Sequence, residues 1–421
     1  MNLGKNRNFI LLSATLFFFF VTWSFWFSLF PIWLSQHLGL DGANTGIIYS
    51  LNAIGALCLQ PLYGYIQDRL GLKKHLMWFI AALLVFVGPF IIFIYGPLLQ
   101  ANIFMGAAAG AVYLGAAFFA GVGAIETYVE RVGRVSNYEF GKARMWGSLG
   151  WAFATFFAGT FININPNINF WLASLSAVIA AIMIMLVKFD DTSSQTDVES
   201  NPVKVSDLFA LVKMPRFHAF ALYIFGCACI YGVYDQQFAI YFSSQFPTIE
   251  EGNRMFGYLN SLQVFLEAGG MFLAPFFVNR VGAKNSLVIA GFIMATRIIG
   301  SGLVDGPIGI SVMKLLHAVE LPILLIAVFK YFSKNFDTRL ASTLYLFGFQ
   351  FVIQVFTSIL SPLVGLSYDV MGFQQTYLIL GCVVAVFATV SIFTLVSDKV
   401  PSVNDDESTP SKSGDQSLAT A

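Results

Sequence analysis

Gly64-Tyr65-Ile66-Gln67-Asp68-Arg69-Leu70-Gly71-Leu72-Lys73-Lys74 closes one apolar run and opens the next, and Asn279-Arg280-Val281-Gly282-Ala283-Lys284-Asn285 does the same farther along the chain. Both stretches join a basic residue to a glycine two positions on, the composition of a tight turn between helix ends. Their surroundings are apolar runs of about 20 residues, near 9-34, 44-66, 74-98, 103-128, 142-162, 168-188, 217-243, 255-278, 285-303, 308-330, 340-366 and 373-396. About twelve membrane-spanning helices are therefore expected. Each quoted turn falls between the second and third helix of a set of six.

Composition agrees. Of 421 residues, 57% are hydrophobic, 16% aromatic and only 11% charged, and the mean hydropathy is +0.73, outside the range of ordinary soluble domains. Lys plus Arg equals Asp plus Glu at 23 each, so no global charge points to nucleic acid or an acidic substrate. Basic residues nevertheless cluster in alternate loops: Lys5 and Arg7, then Arg69, Lys73 and Lys74, then Arg131, Arg134 and Lys142. The pattern continues with Lys204, Lys213 and Arg216, Arg280 and Lys284, Lys330, Lys334 and Arg339, and Lys399 and Lys412, whereas the opposite loops carry essentially Arg254. The positive-inside rule then places both termini in the cytoplasm, as an even helix count requires.

The polar interval from Asp190 to about Arg216 divides the spans into two sets. The expected organisation is an N-terminal half over 1-190, a linker over 191-216, a C-terminal half over 217-398 and a disordered tail over 399-421. Cys58, Cys227, Cys229 and Cys382 all lie in apolar runs and read as reduced packing residues; Cys227 and Cys229 point about 200° apart on a helix. The first run is too long for a signal-peptide core and lacks a small-residue cleavage site, so it is expected to remain as a span.

The two parallel sets of six helices, with the glycine-basic turn at matching positions, resemble the major facilitator superfamily, whose Gly-x-x-x-Asp-Arg-x-Gly-x-Lys-Lys signature is similar to residues 64-74. The resemblance implies an all-α membrane fold and alternating access to a central site.

Ionisable residues inside the spans are the candidates for function, because each costs about 2.5 to 3.5 kcal/mol at a helix centre. They are Glu126 in the fourth span, Arg144 in the fifth, Asp235 in the seventh, Glu267 in the eighth, Arg297 in the ninth, and Lys314, His317 and Glu320 in the tenth. Arg144 shares a helix face with Trp151, seven residues on, and faces Glu126 across a short hairpin. A carboxylate and a guanidinium suit adjacent hydroxyls, and an indole suits the apolar face of a sugar ring; a structural ion pair beside a packing tryptophan is the plainer reading. Lys314, His317 and Glu320 recur every three residues and form a polar stripe able to relay protons. Low-dielectric surroundings favour the neutral form of a carboxyl group, which lets Glu320 or Glu267 hold a proton and release it on exposure, with Arg297 stabilising the carboxylate left behind. Tyr231 lies one turn from Asp235, and Asp235 is expected to neutralise Lys314 as a structural pair. The first-span aromatics Trp23, Trp26, Phe27 and Phe30 read as packing.

No phosphate loop, metal-ligand cluster, nucleophile elbow or dinucleotide fingerprint occurs, so the sequence shows no machinery for ATP-driven pumping or catalysis. An ion gradient is the remaining driving force, with the proton as coupling ion and no cofactor. Two repeated halves fit a carrier better than a channel.

Five stretches narrow the family: Ala124-Ile125-Glu126, Phe140-Gly141-Lys142-Ala143-Arg144, Tyr234-Asp235-Gln236-Gln237-Phe238, Arg297-Ile298-Ile299-Gly300 and the run Lys314 to Pro322. Through them the chain, from about Asn8 to Val396, resembles the oligosaccharide:proton symporter branch of the superfamily. Carried over, the resemblance implies sugar binding by Glu126, Arg144 and Trp151, a joint role in binding and protonation for His317 and Tyr231, and proton translocation through Glu320 and Arg297. Departures bear on the substrate. Lactose-type members have a sugar-contacting glutamate where this chain has Val264, with Glu267, expected to bind substrate, one turn later in a run that resembles the sucrose type, as does Trp23 to Leu29. An Asp-Lys pair of the lactose type is also absent, replaced by Gly232 and Ile353; both members go together, as charge balance requires. Trp151 and Glu126 match galactoside carriers instead. The expectation is a monomeric, lipid-embedded symporter of the inner membrane that takes up a disaccharide, sucrose ahead of lactose, melibiose or raffinose, with no nucleic-acid partner. A non-transporting sugar sensor would not need the proton stripe, and a drug exporter fits poorly with a pocket of paired charges.

Overall fold

The computed structural model describes residues 3–136, 138–188, 213–336 and 344–397. Most of the expected linker, up to residue 212, and all of the expected tail lie outside the described residues. Eleven helices are long and apolar enough to span a membrane, and a bent pair makes a twelfth. In order they are α1 (Arg7–His37), α2 (Gly42–Leu70), α3 (the pair His75–Val85 and Val87–Ala101), α4 (Ile103–Ser136), α5 (Phe140–Ile164) and α6 (Pro166–Leu186). The second set is α7 (Pro215–Gln236), α8 (Ile249–Val281), α9 (Ala283–Leu303), α10 (Pro307–Asn335), α11 (Gly348–Met371) and α12 (Phe373–Thr394). The described residues contain no strand.

Local chemistry fixes the ends. Asp41 accepts from the Asn44 amide at 2.8 Å to cap α2, Asn102 caps α4 through the Met105 amide, and Thr248 caps α8 through Glu251. Proline leads α6, α7 and α10, where a missing N–H leaves no bond unmade. The repeated turn behaves alike in both copies: Gly71 and Gly282 take φ of 55° and 93°, conformations that side-chain-bearing residues avoid. The symmetry extends to what each turn holds. Arg131 of α4 meets Asp68 at 2.5 Å, and Lys330 of α10 donates to Asn279, the counterpart of Asp68.

Two spans depart from the expected continuous runs. α3 bends by 51° beside Phe86, where Pro89 removes an N–H and its ring crowds the carbonyl one turn back. The seventh run stops at Gln236 and resumes as a short helix, Phe238–Ser243, after Gln237 leaves helical geometry. In α10 a single turn residue, Leu316, lies between Lys314 and His317, but it keeps helical dihedrals and Pro307–Asn335 runs on as one span.

α1 packs against α5 and α6, α9 against α10 and α12, and the two sets meet along α2 with α11 and α5 with α8. At one end these crossings are close. A Cβ on Gly46 would lie 2.2 Å from the Ser361 carbonyl, and one on Gly159 would lie 2.3 Å from that of Asn253, so only glycine permits the approach. Polar ties reinforce the contact: Asp369 of α11 accepts from the Gly42 and Ala43 amides at 2.8 and 2.7 Å, and Gln237 donates to the Gly42 carbonyl at 2.9 Å. Asn253 joins Gln36 and Asn163, each at 2.9 Å. Toward the turn bearing Gly71, Gly64 and Gly141 have open space around them. The two halves are in close contact at the Gly42 end.

Candidate functional site

A cavity of about 340 Å³ lies between the two sets of helices, near the small end of the usual range for small-molecule sites. Its walls include Phe27 of α1, Trp151 of α5, Tyr231 and Asp235 of α7, and Val264 of α8. Uncharged polar side chains complete it, among them Asn52, Asn260 and Gln263. Phe27 corrects the reading of the first-span aromatics. Trp23 and Trp26 do pack, against Phe118 at 5.7 and 5.1 Å between ring centroids, but Phe27 turns an edge to Trp151 and forms part of the wall.

Glu126 and Arg144 form an ion pair across the α4–α5 hairpin, at 29% and 34% side-chain exposure. Arg144 also lies 4.3 Å from the centroid of Phe20, whose ring fixes the guanidinium plane. Seven residues of α5, about 10 Å of rise, separate Arg144 from Trp151, so the pair stands about two turns along α5 from the cavity wall. Neither partner is part of the cavity wall, which the sequence left unresolved.

A second group is buried in the C-terminal set. Lys314 donates to Asp235, whose carboxylate also lies 3.9 Å from Arg297. Arg297 contacts Glu320 at 2.9 Å, both fully buried, and stacks over Tyr231 and Tyr234 at 4.8 and 5.0 Å. His317 Nδ1 is 3.1 Å from Glu320 Oε1, and His317 Nε2 is 3.0 Å from the Tyr231 hydroxyl. The second Glu320 oxygen, Oε2, has no hydrogen-bond partner. Tyr231 and Asp235 are the members of this group that also face the cavity. Glu267 is half-buried, one turn beyond Gln263 on the same face of α8.

The chain matches the model of the LacY proton/sugar symporter family over residues 1–407. It is 43% identical over 400 residues to a raffinose permease of Escherichia coli, covering 93% of this chain and 94% of that protein. It is 44% identical over 399 residues to a melibiose permease of Enterobacter cloacae, with 93% of each covered. The chain belongs to the LacY proton/sugar symporter family. A sucrose permease of Escherichia coli is 42% identical over 393 residues, covering 93% of this chain and 94% of the relative, so identity does not separate the substrates of LacY-family proteins. These relatives are permeases, transporters rather than enzymes. Solved structures share the fold of the LacY family: nucleoside transporter NupG superposes with a TM-score of 0.78 at 15% identity, covering 94% of this chain and 99% of that one. A D-xylose-proton symporter gives 0.63 at 14%, covering 93% and 98%, and the architecture is that of the major facilitator superfamily.

Several wall residues of this LacY-family chain escaped sequence reading. Asn52, Asn260 and Gln263 carry no charge, so a search for costly ions inside spans passes over them. An amide in an otherwise apolar span is the signal that could have found them.

Proposed function

We propose that the protein imports a disaccharide together with a proton across the bacterial inner membrane, by alternating access and with both termini cytoplasmic. In that orientation the tightly packed Gly42 end is periplasmic. Glu126, Arg144 and Trp151 hold one sugar ring, Glu320 carries the proton, and Lys314 and Asp235 neutralise each other.

The observation that supports coupling is the chain of contacts from cavity wall to buried ion pair. An ionised Glu320 only accepts hydrogen bonds, so His317 donates from Nδ1, and Nε2 of the neutral ring accepts from the Tyr231 hydroxyl. A proton taken up at Nε2 from the cavity side, with Nδ1 passing its own proton to Glu320 Oε1, neutralises Glu320, weakens its attraction to Arg297 and leaves the carboxylic acid donating to Nδ1. The ring then takes the other tautomer, and Tyr231 becomes an acceptor facing the sugar. Proton occupancy and sugar occupancy thereby change the same hydroxyl group. A proton crossing 100 mV contributes about 2.3 kcal/mol to uphill transport.

Sucrose is favoured over galactosides because Val264 and Gly232, two positions at which the chain departs from lactose-type members, both face the cavity. Galactoside transport is the second reading, supported by Glu126 and Trp151. Uptake of labelled sucrose, lactose, melibiose and raffinose by cells lacking their own permeases, with and without a protonophore, tests both. Protonophore-sensitive accumulation of sucrose is expected; uptake of galactosides alone would replace the first reading with the second, and no uptake of any would end both.

A further inference from the structure

Two buried amides in the cavity wall have no role in ion pairing or proton transfer. Asn52 of α2 is 2% exposed, and neither its Nδ2 nor its Oδ1 has a hydrogen-bond partner. Gln263 of α8 is 4% exposed and its Oε1 is likewise unpartnered. Leaving a buried polar atom unsatisfied costs about 1 to 3 kcal/mol, so three such atoms at one cavity are an expensive arrangement for a protein that needs only packing there. Leu or Met would fill the same volume without that cost. The amides come from opposite halves and line the same cavity as Trp151.

Resting on the disaccharide reading above, we propose that Asn52 and Gln263 form the subsite for the second sugar ring, and that this subsite sets preference for disaccharides over single hexoses. The charged pair and Trp151 take the first ring, and the ring linked to it lies against the amide-lined wall of the same cavity. An amide offers both donor and acceptor, which matches a hydroxyl that does the same. Carboxylates at these positions would bind hydroxyls too, but at the cost of further uncompensated charge in the bilayer. Because one amide rides on each half, the second ring also bridges the helices that must move against each other, so a hexose alone lacks a contact that a disaccharide supplies.

The test compares Asn52→Leu, Gln263→Leu and the double variant with the unaltered protein, by equilibrium binding to purified protein and by counterflow of the disaccharide the unaltered protein transports. Methyl glycosides of its two constituent hexoses serve as single-ring probes. Each single variant is expected to weaken disaccharide binding roughly tenfold. Affinity for the better-bound methyl glycoside should stay within twofold, which also shows that the variant is folded. Three results would overturn the subsite: unchanged disaccharide affinity, parallel loss for disaccharide and methyl glycoside, or slower turnover with affinity intact. Should the unaltered protein bind and transport no disaccharide, the functional reading itself fails, and that outcome is visible before any variant is made.

Discussion

Arg297 holds Glu320 at 2.9 Å with neither side chain reached by solvent, and the guanidinium is sandwiched against two tyrosine rings that keep it from swinging away. A buried pair of this kind adds little net stability, since desolvation offsets the attraction, but it gives one carboxyl group two states of different energy. That is the requirement for a proton carrier.

Glu320→Gln keeps the shape of the side chain and removes its titration. Accumulation of sugar against its gradient should disappear, whereas exchange of external for internal sugar should persist at a rate within a few fold of the unaltered protein. Counterflow and active uptake in the same vesicles provide the comparison; loss of both would mean that Glu320 is needed for the conformational cycle itself.

Asp235 and Lys314 predict a different pattern. Lys314 is buried, so Asp235→Asn leaves an uncompensated cation and is expected to cost about 3 to 5 kcal/mol. Removing both charges with Asp235→Asn and Lys314→Leu should recover most of that loss. Thermal unfolding in detergent reads the cycle, and a double variant no more stable than the worse single one would show that the pair is not structural.

Arg144→Lys tests the partly exposed pair. At about one-third exposure the bridge contributes at most about 1 kcal/mol to folding, so expression and melting temperature should barely change. A lysine cannot present the planar fork of a guanidinium to paired hydroxyls, and sugar affinity should fall about tenfold to a hundredfold. Normal affinity would remove Arg144 from the binding site.

Gly365→Leu concerns the tightly packed Gly42 end. A Cβ there would stand 2.1 Å from the Gly42 carbonyl, contact that backbone cannot relieve while the seal is intact. The variant should favour the form open at the Gly42 end, detected as increased labelling of a cysteine placed in the cavity by an impermeant reagent added from outside. Unchanged labelling would show that the seal tolerates bulk.

The fold was legible because a span announces itself by twenty apolar residues, and the two copies of the glycine-basic turn gave the repeat. Breaks inside spans were not. Pro89 lies in a run apolar enough to look continuous, and the interruption at Gln237 has no proline or glycine at the break itself. Partners among the charges could be inferred, since few ions are available in a bilayer and each needs one; Glu126 with Arg144 and Asp235 with Lys314 are found in contact. The cavity wall could not be drawn. Which face of α2 or α8 looks inward depends on how two helix sets lean together, and Asn52 and Gln263 become informative only once their missing partners are seen.

The seal at the Gly42 end has a consequence for flux in a cell. A carrier that rests with its sugar site turned toward the cytosol meets the sugar it has already delivered before it meets the next molecule outside. As the internal pool grows, more of the carriers return loaded, and net entry gives way to one-for-one swapping that consumes no protons. On the reading proposed above, uptake would then slow with internal concentration well before the proton gradient is exhausted.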